Sequence, residues 1–403
     1  MILVGMFAAV MMVVQLVSRR VVAEAQERVR HDLNSARMVY DQRLESIVTV
    51  VELTAQRFFI RTALREGEPQ KQTREELGRV RQQYGLDFLS VTDCKGVVVI
   101  RTREPYLTGD DRSKDSLIRH ALEGQVVGST EIVSREQLAL EGALLDARAY
   151  LKLVPTPRAK PLEKTEETSG MVMEAAVPFR DEQGMILGVV YGGVLLNRNY
   201  EIVDGISEMV YGDGQYHGKR VGSATVFQRD ERISTTILSK SGQRAIGTRV
   251  SSAVHDAVLQ KGDRWVDRAF VVDDWYIAAY EPVRNTDGEI VGMLYVGLLE
   301  RPYVDMKRNL MLAVLGFAAV GMAVALGLAT VLGKAITRPV TELVRGTQRI
   351  AAGDLSCRIA RPTTDEIGRL ADAFNTMAQS LQETIGEKDR LNAELRRSEQ
   401  TLK

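Results

Sequence analysis

The chain has 403 residues, room for two or three ordinary domains, and 53 basic residues balance 53 acidic ones. That balance argues against a nucleic-acid surface, which needs a basic excess. A 45% apolar and 26% charged composition excludes a disordered tail protein, and a slightly negative mean hydropathy excludes a transporter of many spans.

Two stretches read as membrane spans. Ile2–Val17 is apolar apart from Gln15 and sits near the lower length limit for spanning. A cleaved leader is the rival reading, since Ala23-Glu24-Ala25 fits a small-x-small site. Arg19-Arg20 separates that site from the apolar run, and no basic stretch precedes the run, so we favour an uncleaved anchor with a true start further upstream. Leu310–Leu332 carries no charge; as a helix it is about 34 Å long, enough to cross a core of about 30 Å. Lys307-Arg308 and Lys334/Arg338 flank it almost equally, so charge does not orient it.

Between the spans, Val22, Ala25, Val29, Leu33, Ala36, Tyr40, Leu44, Ile47, Val51, Ala55 and Phe58 recur with helical period, uninterrupted by Gly until Gly67. They predict a long stalk helix with one apolar face. Phe88–Thr92, the turn Asp93–Gly96 and Val97–Ile100 read as strand, turn, strand, and the pattern returns at Ser223–Gln228 and Ile233–Leu238. Val177–Leu196 aligns without gaps on Glu281–Glu300 at an offset of 104 residues. Pro178/Pro282, Arg180/Arg284, Gly184/Gly288, Ile186/Ile290, Gly188/Gly292, Tyr191/Tyr295, Gly193/Gly297 and Leu195/Leu299 are identical. Each copy reads as a Gly-turned hairpin, so the loop holds two similar lobes. The Pro-rich insert from Pro155 to Ser169 reads as a surface loop, and Tyr211–Gly218 as a linker.

The tandem lobes between two spans, the stalk helix and Asp274–Pro282 before the second hairpin resemble the Cache superfamily, nearest its fused double-Cache receptors (a Cache 3/Cache 2 fusion). The resemblance covers about residues 21–308 and implies PAS-like lobes: an antiparallel sheet, flanking helices and a small-ligand pocket outside the cell.

Beyond the second span, Ile336, Val340, Leu343, Thr347 and Ile350 step by four and three, and Gly353-Asp354-Leu355 breaks the helix. Asp365-Glu366-Ile367-Gly368 opens another, with Ile367, Leu370, Phe374, Met377, Leu381, Thr384, Lys388, Leu391 and Leu395 in heptad spacing. Two short helices cannot bury that seam alone, whereas a homodimer of four parallel helices can. Pro339 soon after the span, Gly-Asp-Leu and Asp-Glu-Ile-Gly are similar to a HAMP domain, which implies a cytoplasmic location, with Pro339, Asp365, Glu366, Ile367 and Gly368 in signal relay.

The expected fold class is α+β. The expected divisions are a transmembrane helix at 1–18, the stalk at 19–66, a membrane-distal Cache lobe at 67–204 and a membrane-proximal one at 205–308. A second transmembrane helix at 309–332, HAMP at 333–387 and the start of a signalling helix at 388–403 follow.

No chemistry is legible. His31-Asp-Leu-Asn is superficially similar to a kinase phosphoacceptor box but lies in the stalk outside the membrane with no Pro following. His120, His217 and His255 lack ligand spacing, and Cys94 and Cys357 are too few for a thiolate site, so no metal, cofactor or catalytic residue is expected. For a ligand, Trp265, Arg268, Phe270, Trp275, Tyr276 and Tyr280 cluster in the second lobe, with Arg101, Arg148 and Tyr150 in the first. Arginine suits a carboxylate and aromatic rings suit pocket walls, although alternate strand residues face a core anyway. The resemblance implies a homodimeric sensor in the bacterial inner membrane, in contact with lipid. Its ligand would be a small organic acid or amino acid, and it would be the input half of a two-component histidine kinase. The output domain, or the response regulator it serves, lies outside this sequence. A chemotaxis receptor, a cyclic-dinucleotide enzyme and a stand-alone binding protein are the alternatives.

Overall fold

The computed structural model describes residues 2–57, 71–161, 163–360 and 365–401, which fall into two units, Met1–Lys307 and Arg308–Lys403. The first unit opens with one helix, α1 (Ile2–Ala55), which includes the apolar start of the chain. Its row of Ala25, Val29, Leu33, Ala36, Tyr40, Ile47 and Val51 is buried, as the helical period requires, while Val22 is exposed and Phe58 lies outside the described residues.

The row packs on two five-stranded antiparallel sheets. The first comprises β1 (Phe88–Asp93), β2 (Val98–Arg101), β3 (Val127–Val133), β4 (Gly170–Arg180) and β5 (Ile186–Leu195), in the order β2-β1-β5-β4-β3. The second comprises β6 (Gly222–Gln228), β7 (Glu231–Thr235), β8 (Trp265–Val271), β9 (Asp274–Arg284) and β10 (Ile290–Leu299), in the order β7-β6-β10-β9-β8. The two orders are the same. The 104-residue offset also survives in the register: Val172 opposes Leu195 as Tyr276 opposes Leu299, and both hairpins slip between Phe179/Arg180 and Val283/Arg284. Glycine is required at the close approaches. A Cβ on Gly188 would lie 2.0 Å from the Thr92 carbonyl oxygen, and one on Gly292 2.1 Å from that of Phe227.

A helix precedes each sheet: α2 (Lys71–Gln83) before the first, through Leu77 and Val80, and, later in the chain, the helix Glu201–Tyr211 before the second, through Ile202, Val203 and Ile206. The faces turned away from α1 are covered differently. Three short helices, α3 (Ser116–Leu122), α4 (Arg135–Glu141) and α5 (Leu145–Ala149), cover the first sheet. The helix Glu201–Tyr211 is α6, and the second sheet lies under Thr236–Gly262, whose one helical turn is α7 (Ser252–His255).

Two connections carry structure that the sequence reading did not specify. The Pro-rich insert is a strap between the lobes: Val154 N donates to Gly247 O (2.9 Å), Ser252 N to Arg158 O (2.8 Å) and Arg249 Nη1 to Lys160 O (2.7 Å). The strap's part in all three is played by its backbone N–H and carbonyl groups, so composition did not announce them. In the Gly-rich stretch, Gln215–Tyr216 pairs with Lys219–Arg220 across His217 and Gly218, both at positive φ, making a tight hairpin.

The helix α8 (Arg301–Leu332) follows the last strand directly. Among the described residues, the run Arg301–Ala351 is the one helix long and apolar enough to cross a membrane by length and composition. A π-helical turn at Gly333–Thr337 precedes α9 (Arg338–Ala351), just before Pro339, whose missing N–H cannot serve an ordinary helical bond. Gly353, at φ +98°, then reverses the chain. Asp365 caps α10 (Glu366–Thr401), accepting from Ile367 N (3.0 Å) and Gly368 N (3.2 Å). A small core of Leu343, Ile359, Ala371 and Phe374 joins α9 to α10, and Asn375 brackets the connector through both backbone groups of Ile359 at 2.8 Å.

Candidate ligand-binding site

Each sheet face turned from α1 carries polar groups that a simple core would not hold. In the first lobe the fully buried Arg101 is the hub. Its Nη1 donates to Asp110 Oδ1 (2.5 Å) and Leu107 O (2.6 Å), its Nη2 to Asp110 Oδ2 (2.8 Å) and Glu141 Oε1 (2.9 Å). Glu141, at the end of α4, also accepts from Tyr191 OH (2.8 Å), Gln137 Nε2 (3.0 Å) and Ser90 Oγ (2.8 Å). Beside it, Arg112 lies 4.6 Å from the Tyr191 ring centre and donates to Asp115 Oδ2 (2.5 Å) and Glu174 Oε1 (3.1 Å).

These contacts fix the electrostatics. Burial pushes the Glu174 carboxyl up to about 7, Arg112 opposing the rise and Glu141 adding to it. Burial raises the Tyr191 hydroxyl as well, so it remains a donor to Glu141. Burial alone would raise Asp110, but Arg101 holds it below the usual carboxylate range. A cavity of about 370 Å³, lined by Arg112, Asp115, Glu131, Ser134, Gln137 and Glu174, opens beside this network. Its Arg112, Asp115 and Glu174 are already paired with one another, and Glu131 accepts from Thr286 of the second lobe.

The second lobe is built otherwise. Strand alternation places Tyr276, Ala278 and Tyr280 on the face under Thr236–Gly262, with Phe227 and Tyr295. Trp265 joins this face through an edge contact with Tyr280 (5.5 Å between ring centres). Arg268, Phe270 and Trp275 meet elsewhere: strand alternation puts Trp275 on the side of Ile277 and Ala279, and it stacks under Arg268 at 3.9 Å and against Phe270 at 5.4 Å. Arg268 is exposed and donates from Nε to Glu300 (2.8 Å). The structure therefore brings three of the six second-lobe candidates together on the covered face. In the first lobe, Arg148 is bonded to Asp87 and Leu195 O, and the exposed Tyr150 to Glu166, both apart from Arg101.

Arg232 is the residue that sequence reading passed over. It is 3% exposed on β7, packed at 5.1 Å on the Phe227 ring, and neither its Nε nor its Nη1 has a hydrogen-bond partner. A basic residue in a strand that also holds Glu231 reads as solvated, but cross-strand pairing with Phe227 was the available signal that it faces inward. Glu174 had a plainer one, a single charge inside the apolar strand Gly170–Val177. A cavity of about 610 Å³ reaches this face at Ser223, Ile237 and Tyr276, with Lys219, Arg220 and Arg244 among its outer lining. Its size suits a small molecule. Among the described residues no group of three potential metal ligands occurs.

The comparisons with known proteins give these features a class. Residues 194–310 match the family model of the single cache domain 3, and residues 331–383 that of the HAMP domain. The chain thus carries a segment that matches a Cache domain ahead of one that matches a HAMP domain. An uncharacterized sensor-like histidine kinase of Pyropia yezoensis is 33% identical over 103 residues, 24% of this chain and 15% of its own length. Methyl-accepting chemotaxis protein McpA of Bacillus subtilis is 30% identical over 135 residues, 31% of this chain and 20% of its own. The chain therefore spans a fifth or less of the length of these relatives. Among solved structures, the periplasmic domain of Vibrio cholerae LuxQ aligns over 67% of this chain and 99% of its own, at 12% identity and a TM-score of 0.41.

Proposed function

We propose that this chain is the input region of a homodimeric bacterial inner-membrane receptor, with two spans, the lobes outside the cell and the HAMP helices inside. The ligand biases one of two helix arrangements, and HAMP passes that bias to an output histidine kinase beyond these residues. A ligand moves such an equilibrium only by its differential affinity: a tenfold preference for one state is worth about 1.4 kcal/mol. The observation that carries the reading is continuity: β10 ends at Leu299, α8 starts at Arg301, and the same run of helix reaches the first HAMP helix. The start of α1 at Ile2–Val17 would be the other span. A chemotaxis receptor is the second reading, favoured by the longer match to McpA.

Topology tests the reading with a native probe. Cys94 is exposed and Cys357 buried. In cells carrying Cys357→Ser, a membrane-impermeant maleimide should label Cys94 without permeabilisation. With Cys94→Ser and the exposed position Glu387→Cys, labelling should require permeabilisation. Labelling of both positions from the same side would exclude a receptor of this topology.

A further inference from the structure

The two lobes share a sheet order, a register and a tyrosine, and they differ in the charges buried on the face turned from α1. Ser90 opposes Tyr191 in the first sheet as Thr225 opposes Tyr295 in the second. In the first lobe the Ser90 and Tyr191 hydroxyls, with Arg101, close on a carboxylate that the lobe supplies itself, Glu141. In the second lobe the covering segment contributes Ile237, Ala245, Val250, Val254 and Val258 to the same face, all apolar. The position offset from Glu174 by 104 residues is Ala278. Arg232 is therefore a buried guanidinium whose electrostatic neighbours are the phenols of Tyr280, Tyr295 and Tyr276, with no carboxylate bonded to it among the described residues.

A buried cation left without a counter-ion costs several kcal/mol, so a fold that keeps one gains from whatever anion completes it. The guanidinium fork matches a planar carboxylate, and unused N–H groups on two of its nitrogens await acceptors. The route is present as well. The 610 Å³ cavity reaches Tyr276 and Ser223, and Ser223 Oγ is bonded to Tyr295 OH at 3.1 Å. Of the basic residues around that cavity, Lys219 is bonded to Asp273 and Arg244 to Asp204, whereas Arg220 and Lys240 have no carboxylate partner among the described residues, which favours entry of an anion.

We propose that the second lobe is the receptive one and that Arg232 anchors the carboxylate of a small ligand, which supplies the counter-charge that Glu141 supplies to Arg101 in the first lobe. It does so at a different point of the sheet, because Arg232 opposes Phe227 and the counterpart of Arg101 in register is Thr235. The first lobe is then closed by its own acid. This rests on the reading of the lobes as sensor domains, but it concerns binding and not relay.

The test uses the full chain in detergent micelles at constant ionic strength, with acetate and succinate as probes and succinamide as the uncharged control. Both tryptophans, Trp265 and Trp275, lie in the second lobe, and Trp265 touches Tyr280, so tryptophan fluorescence, excited selectively over tyrosine, reports this lobe alone. Acetate or succinate should change the fluorescence saturably and raise the melting temperature, and succinamide should do neither. Arg232→Met should lose the response, with affinity at least about tenfold weaker, yet melt no lower than the parent in carboxylate-free buffer. Arg232→Lys, which keeps the charge without the fork, should bind with intermediate affinity and covers the case in which the methionine variant fails to fold. No response of the parent to either carboxylate up to about 50 mM, or variants binding within twofold of it, would overturn the proposal. So would loss of binding on Arg112→Met with Arg232→Met unaffected. Binding through Arg232 with no change in the HAMP helices would instead refute the relay reading and leave this one intact.

Discussion

Glu141→Ala should destabilise the first lobe by about 3–5 kcal/mol, the usual cost of removing one partner from a buried ion pair. The side chain is 2% exposed and gathers four donors: Arg101 Nη2, Tyr191 OH, Gln137 Nε2 and Ser90 Oγ. Truncation leaves Arg101 with Asp110 as its one carboxylate and the other donors facing a void. Thermal or urea unfolding of the full chain measures the loss. Two further results follow from the same geometry. Acetate should restore part of the lost stability, because the void has the shape and donors of a carboxylate site. Arg101→Leu combined with Glu141→Ala should cost less than the two single losses added, since the charge that makes the single change costly is gone. A loss under about 1 kcal/mol for Glu141→Ala would mean that the network is satisfied by something other than this acid.

The second large effect lies in the HAMP unit. Its own core holds only Leu343, Ile359, Ala371 and Phe374, while Val344 and Leu370 are 51% and 55% exposed and Met377 is 45% exposed. Leu370 and Met377 stand seven residues apart on one stripe of α10. Such a stripe, unsupported within a single chain, is what a partner's helices would cover. Burying each of these side chains contributes about 1.5–3 kcal/mol, and a dimer counts each twice. Leu370→Glu with Met377→Glu should therefore weaken dimerisation by at least about a thousandfold, turning a dimer into a monomer by light scattering in micelles. An unchanged dimer would place the interface elsewhere.

How much of this was legible depends on what each pattern encodes. The α1 row from Ala25 to Val51 was, because a helical period over seven turns has one interpretation and one buried side. The duplicated hairpin was too, since eight identities at fixed offset reflect a shared register, slip included. The HAMP breaks at Gly353 and Asp365 are local backbone chemistry, a positive φ and a cap, and local chemistry reads directly. The ligand site was half legible. Period-two alternation separates Tyr276 and Tyr280 from Trp275, but does not say which face the lobe covers. Arg232 and Glu141 on short elements and Arg112 in a connection look like solvated charges; they are buried by α3–α5 or by Thr236–Gly262, whose placement is a tertiary fact. The strap from Val154 to Lys160 escaped for the same reason.

The central claim is that occupancy of the lobes changes the helices on the far side of the membrane. The direct measurement is disulfide formation between partner chains in native membranes, using single cysteines at successive positions of α10 from Leu370 to Leu395 in a Cys94→Ser, Cys357→Ser background. It is read without carboxylate and at a concentration where tryptophan fluorescence shows saturation. The expected result is a heptad pattern whose strong positions shift in rate, some faster and some slower, on saturation. The same pattern with the same rates at every position, bound and unbound, would contradict the claim.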